Sequence, residues 1–488
     1  MTAHAHSEHL ALDHGTPAKA GVLPSFGLGL PVAVYALVVA SFAMGADEFI
    51  VAGVIEEIAL ALGVSLGAVG LLESSYALGV AIGAPLFVAI GSRLSRRIML
   101  LVSSTVFIAG NLLSALGPTY EAILAGRLIA AMGHGAFFGI AAVFAAELVD
   151  PSRKGRAISI VFGGFTAATI LGAPFGAAIG QALGWRMTFW SLVILGVIGL
   201  VGIVALVPRV RAAAHGDHGA HGGHGGQPAG DGAAAIDLDA LDPHARAHLE
   251  AAGARSSIRK QLAAFRRPAV WLALVTTTFG YGGVFTSYTY MAPQLTDLAG
   301  FGEAWITPLF LLFGGGLFVG NLLGGRLADA RLGPALLGTI GALALALFAM
   351  TVAVTNPVTA VLGLFAYGVA AFSVVAPLQL SVVARAGDAP DMASAANISA
   401  FTLGSALGIW LGGQAIDAGL GLASVNWVGG SIALAGLVLA AVSVRSLRSG
   451  GAGTSGGQAA HRTTGHGSDH GPGQVAEHAS DHGTGHAH

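Results

Sequence analysis

The chain has 488 residues, of which 54% are hydrophobic and only 10% charged, against roughly 25% charged in a soluble protein. With a mean hydropathy of +0.74, this excludes a soluble globular domain and predicts a polytopic membrane protein. A formal net charge of −2 leaves no electrostatic footprint for nucleic acid, and the absence of cysteine excludes disulfides, thiol catalysis and thiolate metal sites.

Residues 1–28 form a polar, His-rich tail. It lacks a basic stretch followed by a short apolar core, so no cleaved signal peptide is expected. A membrane helix needs about 20 apolar residues. Twelve such stretches occur, near 30–54, 67–90, 98–117, 122–148, 157–181, 187–207, 269–293, 305–327, 334–354, 357–383, 396–418 and 425–446. They predict an all-α membrane protein with twelve transmembrane helices in two pseudo-symmetric six-helix bundles. The first bundle spans 29–208 and the second 269–447. A cytoplasmic His-rich linker (209–268) joins them, and a disordered His-rich cytoplasmic tail (448–488) ends the chain. If both termini are cytoplasmic, 21 of the 23 Lys and Arg residues lie inside; only Arg186 lies outside, and Arg127 lies within a span. This bias predicts a multi-pass protein of the cytoplasmic membrane with both termini cytoplasmic. At the end of the linker, "SSIRKQLAAFRRP" puts Ile258, Leu262 and Phe265 on one stripe, as in a short helix lying on the inner membrane surface.

An internal repeat supports two parallel halves. Gly83 and Ser92 match Gly320 and Asp329, with the same nine-residue gap; Thr166, Gly172 and Gly176 match Thr402, Gly408 and Gly412. Parallel halves with a substrate site between them at mid-membrane are a transporter plan.

The chemistry concentrates in the first half. At a rise of 1.5 Å per residue, Asp47 lies about 10 Å, Arg127 about 8 Å and Glu73 about 9 Å below the outer edge. Three helices thus place ionisable groups in one layer, although a charge at a helix centre costs roughly 2.5–3.5 kcal/mol. Asp47 and Glu48 point about 100° apart, so one can pair with Arg127 while the other faces a cavity. Either is a candidate proton carrier, with Glu73 in support. His134, flanked by Gly133 and Gly135, is a candidate relay. In span five, Gly172 and Gly176 have GxxxG spacing and Pro174 can kink the helix. In the second half, Tyr281, Tyr288, Asn321, Tyr367, Gln379, Asn397 and Trp410 suit a cavity for a semi-polar organic molecule.

Seventeen of the 18 histidines lie outside the spans, including His215, His218, His221 and His224 at steps of three. They are candidates for weak divalent-metal binding in the tails. The spans lack the His/carboxylate set that a dehydrated metal ion needs. No enzyme constellation and no Walker A motif occur. No cofactor is expected, and the proton gradient is the expected energy source.

Four stretches resemble the major facilitator superfamily over roughly residues 30–447, in its twelve-span drug:proton antiporter branch. They are "GADEFIVAG" in span one, "GSRLSRR" (91–97), "RLIAAMGHGAFFGIAA" (127–142) and "GFTAATILGAPFGAAIGQALGWRMTFW" (164–190). Within that branch the chain most resembles the subgroup of chloramphenicol-resistance, arabinose-efflux and purine-efflux proteins, and "GADEFIVAG" is similar to that subgroup's span-one motif. The resemblance implies alternating access, most often in a monomer. It also implies gating roles for Arg93, Arg97 and Asp329, and a bend at Gly172, Pro174 and Gly176. Two features depart from the family pattern: Ser92 and Ser95 replace Asp and Gly in the first loop, and Glu56 stands where relatives usually have Pro. The expected function is proton-coupled export of small organic compounds. The alternatives are export of endogenous sugars or purines, and a metal-responsive protein acting through its tails.

Overall fold

The computed structural model describes residues 25–26, 30–91, 94–150, 153–207, 263–387 and 390–459. Apart from a two-rung antiparallel ladder, Ser25–Phe26 with Leu30–Pro31, these residues are helices and their connections.

The first half comprises α1 Val32–Phe49, a short α2 Ile55–Leu62, α3 Leu66–Gly91, α4 Arg96–Leu116, α5 Tyr120–Glu147, α6 Lys154–Leu183 and α7 Arg186–Leu206. The second comprises α8 Pro268–Tyr288, α9 Ile306–Ala330, α10 Leu332–Ala353, α11 Pro357–Ser373, α12 Val375–Val383, α13 Pro390–Ala415 and α14 Ser424–Ala459. Local chemistry sets several starts. Ser95 and Thr119 cap α4 and α5 through their hydroxyls. Asn356 accepts from the Val358 and Thr359 amides ahead of α11, whose first residue is Pro357.

Among the described residues, eleven helical segments are long and apolar enough to cross a membrane, with α11 and α12 together making one. The remaining long helix is α5, whose 28 residues include Glu121, Arg127, His134 and Glu147. Ile194, Ile198 and Val201 on α7 and Leu345 and Val352 on α10 are exposed. A continuous apolar surface of that kind is covered by lipid.

Span seven is broken. α8 stops at Tyr288, and a three-residue turn of helix and a π-turn, Gln294–Leu298, carry the chain outward. A buried network pins the break. Ser287 Oγ donates to Asn426 Oδ1 at 2.6 Å, and Asn426 Nδ2 donates to Gln294 Oε1 at 2.6 Å. Of the surface helix expected before span seven, residues 258–262 lie outside the described residues. The chain then makes a 3-10 turn, Ala263–Arg266, whose Phe265 carbonyl accepts from Trp271 Nε1 at 2.7 Å.

The sequence repeat has a packing counterpart. A Cβ at Gly83 on α3 would lie 2.6 Å from Met132 Cα of α5, and one at Gly320 on α9 would lie 2.9 Å from the Val369 carbonyl carbon of α11. The α6 glycines likewise let α1 approach: a Cβ at Gly176 would lie 2.7 Å from Ile50 Cγ1. Gly176→Leu is therefore expected to force α1 and α6 apart, at the roughly 1–3 kcal/mol typical of overpacking. A lowered thermal midpoint in detergent would show this. Gly163→Ala, at a position with nothing within 4 Å, is the matched control.

The described residues up to Ser443 form one compact unit. Val444–His488 are grouped as a second, described only as the end of α14. Within the first unit the halves meet at the end of the bundle poor in basic residues. There Ser65 Oγ donates to Asp417 Oδ2 at 3.1 Å and Ser74 Oγ to the Ala406 carbonyl at 3.1 Å. Gln181 Nε2 donates to the Glu303 carbonyl at 2.9 Å, and Thr296 Oγ1 donates to Glu56 Oε1 at 3.0 Å. These contacts bring the halves together at that end, called the closed mouth below.

Candidate functional site

Asp47 and Glu48 lie in the last turn of α1, beside Gly45, where Phe165 and Ala168 of α6 press close. Asp47 turns into the first half. Arg127 Nη1 donates to Asp47 Oδ1 and, at 3.0 Å, to the Asp47 carbonyl; Nη2 donates to Glu73 Oε1 at 3.4 Å. The guanidinium lies 4.2 Å above the Tyr76 ring, an additional cation–π attraction. Asn111 Nδ2 donates to Asp47 Oδ2 at 2.7 Å and to the Phe107 carbonyl at 3.2 Å. Arg127 and Asp47 are 0% exposed. Such charges persist away from water because they are paired and hydrogen-bonded. The Tyr76 hydroxyl lies 2.9 Å from His134 Nδ1 and 3.2 Å from the Met44 carbonyl. Four helices, α1, α3, α4 and α5, therefore contribute to one polar cluster.

Glu48 turns the other way. It is half-buried and makes no side-chain hydrogen bond or ion pair among the described residues. Its electrostatic neighbours include Arg127 and Asp47 in the first half and Tyr281 and Tyr288 in the second. Beside it, Phe49 bridges the halves. Its ring centroid is 5.8 Å from Phe285 and from Tyr288, and 6.4 Å from Phe165. Tyr288 stacks on Phe313 at 5.3 Å, Phe313 meets Tyr367 at 5.2 Å, and Tyr281 meets Phe401 edge-on at 4.8 Å. The Tyr367 hydroxyl donates to the Val284 carbonyl. A carboxylate without a hydrogen-bond donor among the described residues thus neighbours an aromatic surface drawn from both halves.

The other sequence candidates are spread more widely. Gln379 and Asn397 bond to each other at 2.6 Å, joining α12 to α13. Asn321 lies on an exposed face of α9 near Phe318 and Leu322. Trp410 is 45% exposed, on the same face of α13 as Leu403 and apart from the aromatic group. Arg97 Nη2 donates to the Val204 carbonyl at 2.7 Å, which caps the last turn of α7. Asp329 is exposed near the end of α9, and Pro174 lies inside the unbroken α6. Arg93, His215, His218, His221 and His224 lie outside the described residues. Among the described residues, no group of three His, Cys, Asp or Glu could hold a metal ion. Asn111, Tyr76, Phe49, Phe165, Phe285 and Phe313 join the site without being among the sequence candidates. An amide in mid-span, in "AGNLLS", is a usable signal for Asn111. The rings carry none in a chain with 23 Phe residues.

At the closed mouth, beyond the membrane-spanning segments, Glu56 has its pKa raised by burial and by the nearby Asp297, Glu57 and Glu303, against the Thr296 hydroxyl, which lowers it. A carboxyl with a raised pKa in the closed form contributes stability at low pH and loses it as pH rises through that value. Closure is therefore expected to weaken from acid toward neutral pH, and Glu56→Gln to flatten the dependence. Thiol accessibility of a cysteine placed at Ala299, on the same outer segment, would measure it.

The sequence profile described as Major Facilitator Superfamily matches residues 37–408. The inner membrane transport protein YdhP of Escherichia coli (strain K12) is 35% identical over 342 residues, covering 70% of this chain and 78% of that protein. The chloramphenicol resistance protein of Streptomyces lividans is 31% identical, covering 67% of this chain and 74% of that one. Among solved structures, a crystal structure of a D-xylose-proton symporter matches with a TM-score of 0.63 at 17% identity, covering 84% of this chain and 96% of that one. That likeness shows the fold.

Proposed function

The chain belongs to the major facilitator superfamily, and from that premise we propose that it exports small organic compounds across the cytoplasmic membrane in exchange for protons. It is a multi-pass membrane transporter of the drug-efflux type, not an enzyme. The observation that carries the antiport reading is the imbalance of charge in the first half. Three carboxylates, Asp47, Glu48 and Glu73, share one cation, Arg127, and Glu48 has no hydrogen-bond partner among the described residues. A carboxylate held between the halves binds either a proton or a polar or cationic group of a substrate, and that competition couples the two fluxes. The aromatic surface around Phe49 suits a substrate with an apolar body.

Direction comes from the Lys/Arg bias, which makes the basic end cytoplasmic and the closed mouth external. The inner-membrane name of the YdhP relative agrees with that membrane. The domain boundaries are those read from the sequence, and the unit that works is a monomer. The chloramphenicol resistance relative makes phenicols the first compounds to test, with sugars and purines as the second reading.

The test is growth of an exporter-deficient host, with and without the gene, on phenicols, sugars, purine analogues and divalent metals. Raised tolerance to an organic compound is expected. If only metal tolerance changes, and deletion of the His-rich tails abolishes it, export of organic compounds is wrong.

A further inference from the structure

We infer that Asn111 is a positioning residue that holds Asp47 as the fixed counter-ion of Arg127 and so leaves Glu48 to exchange the proton. The inference rests on the antiport reading above and chooses between the two adjacent carboxyls.

Both oxygens of Asp47 are engaged, and both by donors: Oδ1 by Arg127 Nη1 and Oδ2 by Asn111 Nδ2. The orientation of the amide is set by its surroundings. Its NH2 group has two hydrogens and faces two acceptors, the Asp47 carboxylate and the Phe107 carbonyl one turn back on α4. Turned over, Asn111 would set its own oxygen against both of them. The amide is therefore locked as a donor. A donor toward Oδ2 serves a carboxylate; a carboxylic acid carrying its proton there would meet N–H with O–H. The Asn111 oxygen has no partner although it is buried, so the amide holds this orientation at the cost of an acceptor left unused.

The groups facing Asp47 from the elements around it are Arg127 on α5 and Glu73 and Tyr76 on α3, with His134 reached through the Tyr76 hydroxyl. Arg127 Nη1 bonds both the carboxylate and the carbonyl of Asp47, whereas Glu73 is reached by Nη2 alone at 3.4 Å, so Asp47 is the partner that cancels its charge. The groups around Glu48 are Tyr281 and Tyr288 of α8, Tyr288 being shared with Glu73, together with Glu73 and Tyr76 of α3, Arg127 of α5 and its neighbour Asp47. No donor among the described residues holds Glu48 in one protonation state. It is also the carboxyl on the side of α1 that the second half, and hence a substrate, can reach.

Infrared titration of the carboxylic-acid C=O stretch in purified protein tests this without any substrate, so it stands or falls apart from the growth test. A titrating carboxylic-acid band is expected in the wild type. It should be lost in Glu48→Gln and kept in Asp47→Asn. In Asn111→Leu, a second titrating component is expected, which Asp47→Asn then removes. Asn111→Gln, which keeps the amide donor, should restore the wild-type spectrum. A role of Asn111 in packing alone would lower stability without adding that component. The inference is overturned if the wild-type band belongs to Asp47 or to Glu73, so that Glu48→Gln leaves it in place, or if Asn111→Leu leaves the spectrum unchanged. Should Asn111→Leu fail to fold, the wild-type assignment to Glu48 or Asp47 still decides.

Discussion

Arg127→Ala is expected to abolish transport and to destabilise the protein by about 3–5 kcal/mol, the usual cost of stripping one partner from a buried ion pair. The size reflects what the side chain holds. One guanidinium bonds the Asp47 carboxylate, the Asp47 carbonyl and the Glu73 carboxylate, and lies over the Tyr76 ring. Without it, Asp47 keeps Asn111 and the neighbouring Tyr76 hydroxyl, and Glu73 loses its only cationic partner among the described residues. Three helices, α1, α3 and α5, would then meet around uncompensated carboxyls. Arg127→Lys is expected to fold better but to lose most transport. A single ammonium cannot reproduce the planar fork or the stacking on Tyr76. Pairing Arg127→Ala with Asp47→Asn removes the orphaned charge, so stability should partly return while transport does not. Thermal unfolding in detergent and uptake into proteoliposomes measure the two effects separately.

A reversible cross-link across the mouth is expected to slow transport at least about ten-fold, the ratio that 1.4 kcal/mol produces. The chain has no cysteine, so Glu56→Cys/Thr296→Cys introduces the only two thiols. The wild-type side chains touch across the halves at 3.0 Å. A short disulfide-forming bifunctional reagent should bridge the pair and hold the mouth shut. Alternating access needs this end to open in each cycle, so a fixed mouth halts turnover without touching the charged cluster. A reductant should restore transport in the same sample. Full transport with the link in place would mean that the mouth need not open. The pair Ser65→Cys/Asp417→Cys, on the α3–α13 contact, gives an independent second site and the same expected outcome.

Much of this architecture is legible in the sequence because a bilayer makes strong demands. The long apolar runs have to be helices, since lipid offers no partner for a free backbone group. The few charges inside them have to find one another. That is why counting residues from the helix ends places Asp47, Glu73 and Arg127 in one layer. The glycine repeats are legible for a related reason: only a missing Cβ lets Gly83 and Gly320 approach a neighbouring backbone. Rotation about the helix axis is harder to read. Asp47 and Glu48 are adjacent in sequence, yet one turns into the first half and the other toward the second, and only the packing of α1 against α5, α6 and α7 decides which. Asn321 and Trp410 illustrate the same limit: their polarity or size suggests a lining role, and the sequence does not say which way their exposed side chains face. The break after Tyr288 has one legible signal, Pro293, which cannot donate to the Thr289 carbonyl, whereas the Ser287–Asn426–Gln294 network that holds it joins residues 139 positions apart.

Coupling of substrate to proton at the Asp47–Glu48 turn is the central claim. Uptake into inside-out membrane vesicles under an imposed inside-acid pH gradient tests it most directly, with chloramphenicol, arabinose and a purine nucleoside in parallel. The wild type should accumulate at least one of them against its gradient, collapse of the pH difference should release it, and Asp47→Asn/Glu48→Gln should show no such dependence. Accumulation that ignores the pH difference in the wild type, or that still tracks it in the double variant, would contradict proton coupling at this turn.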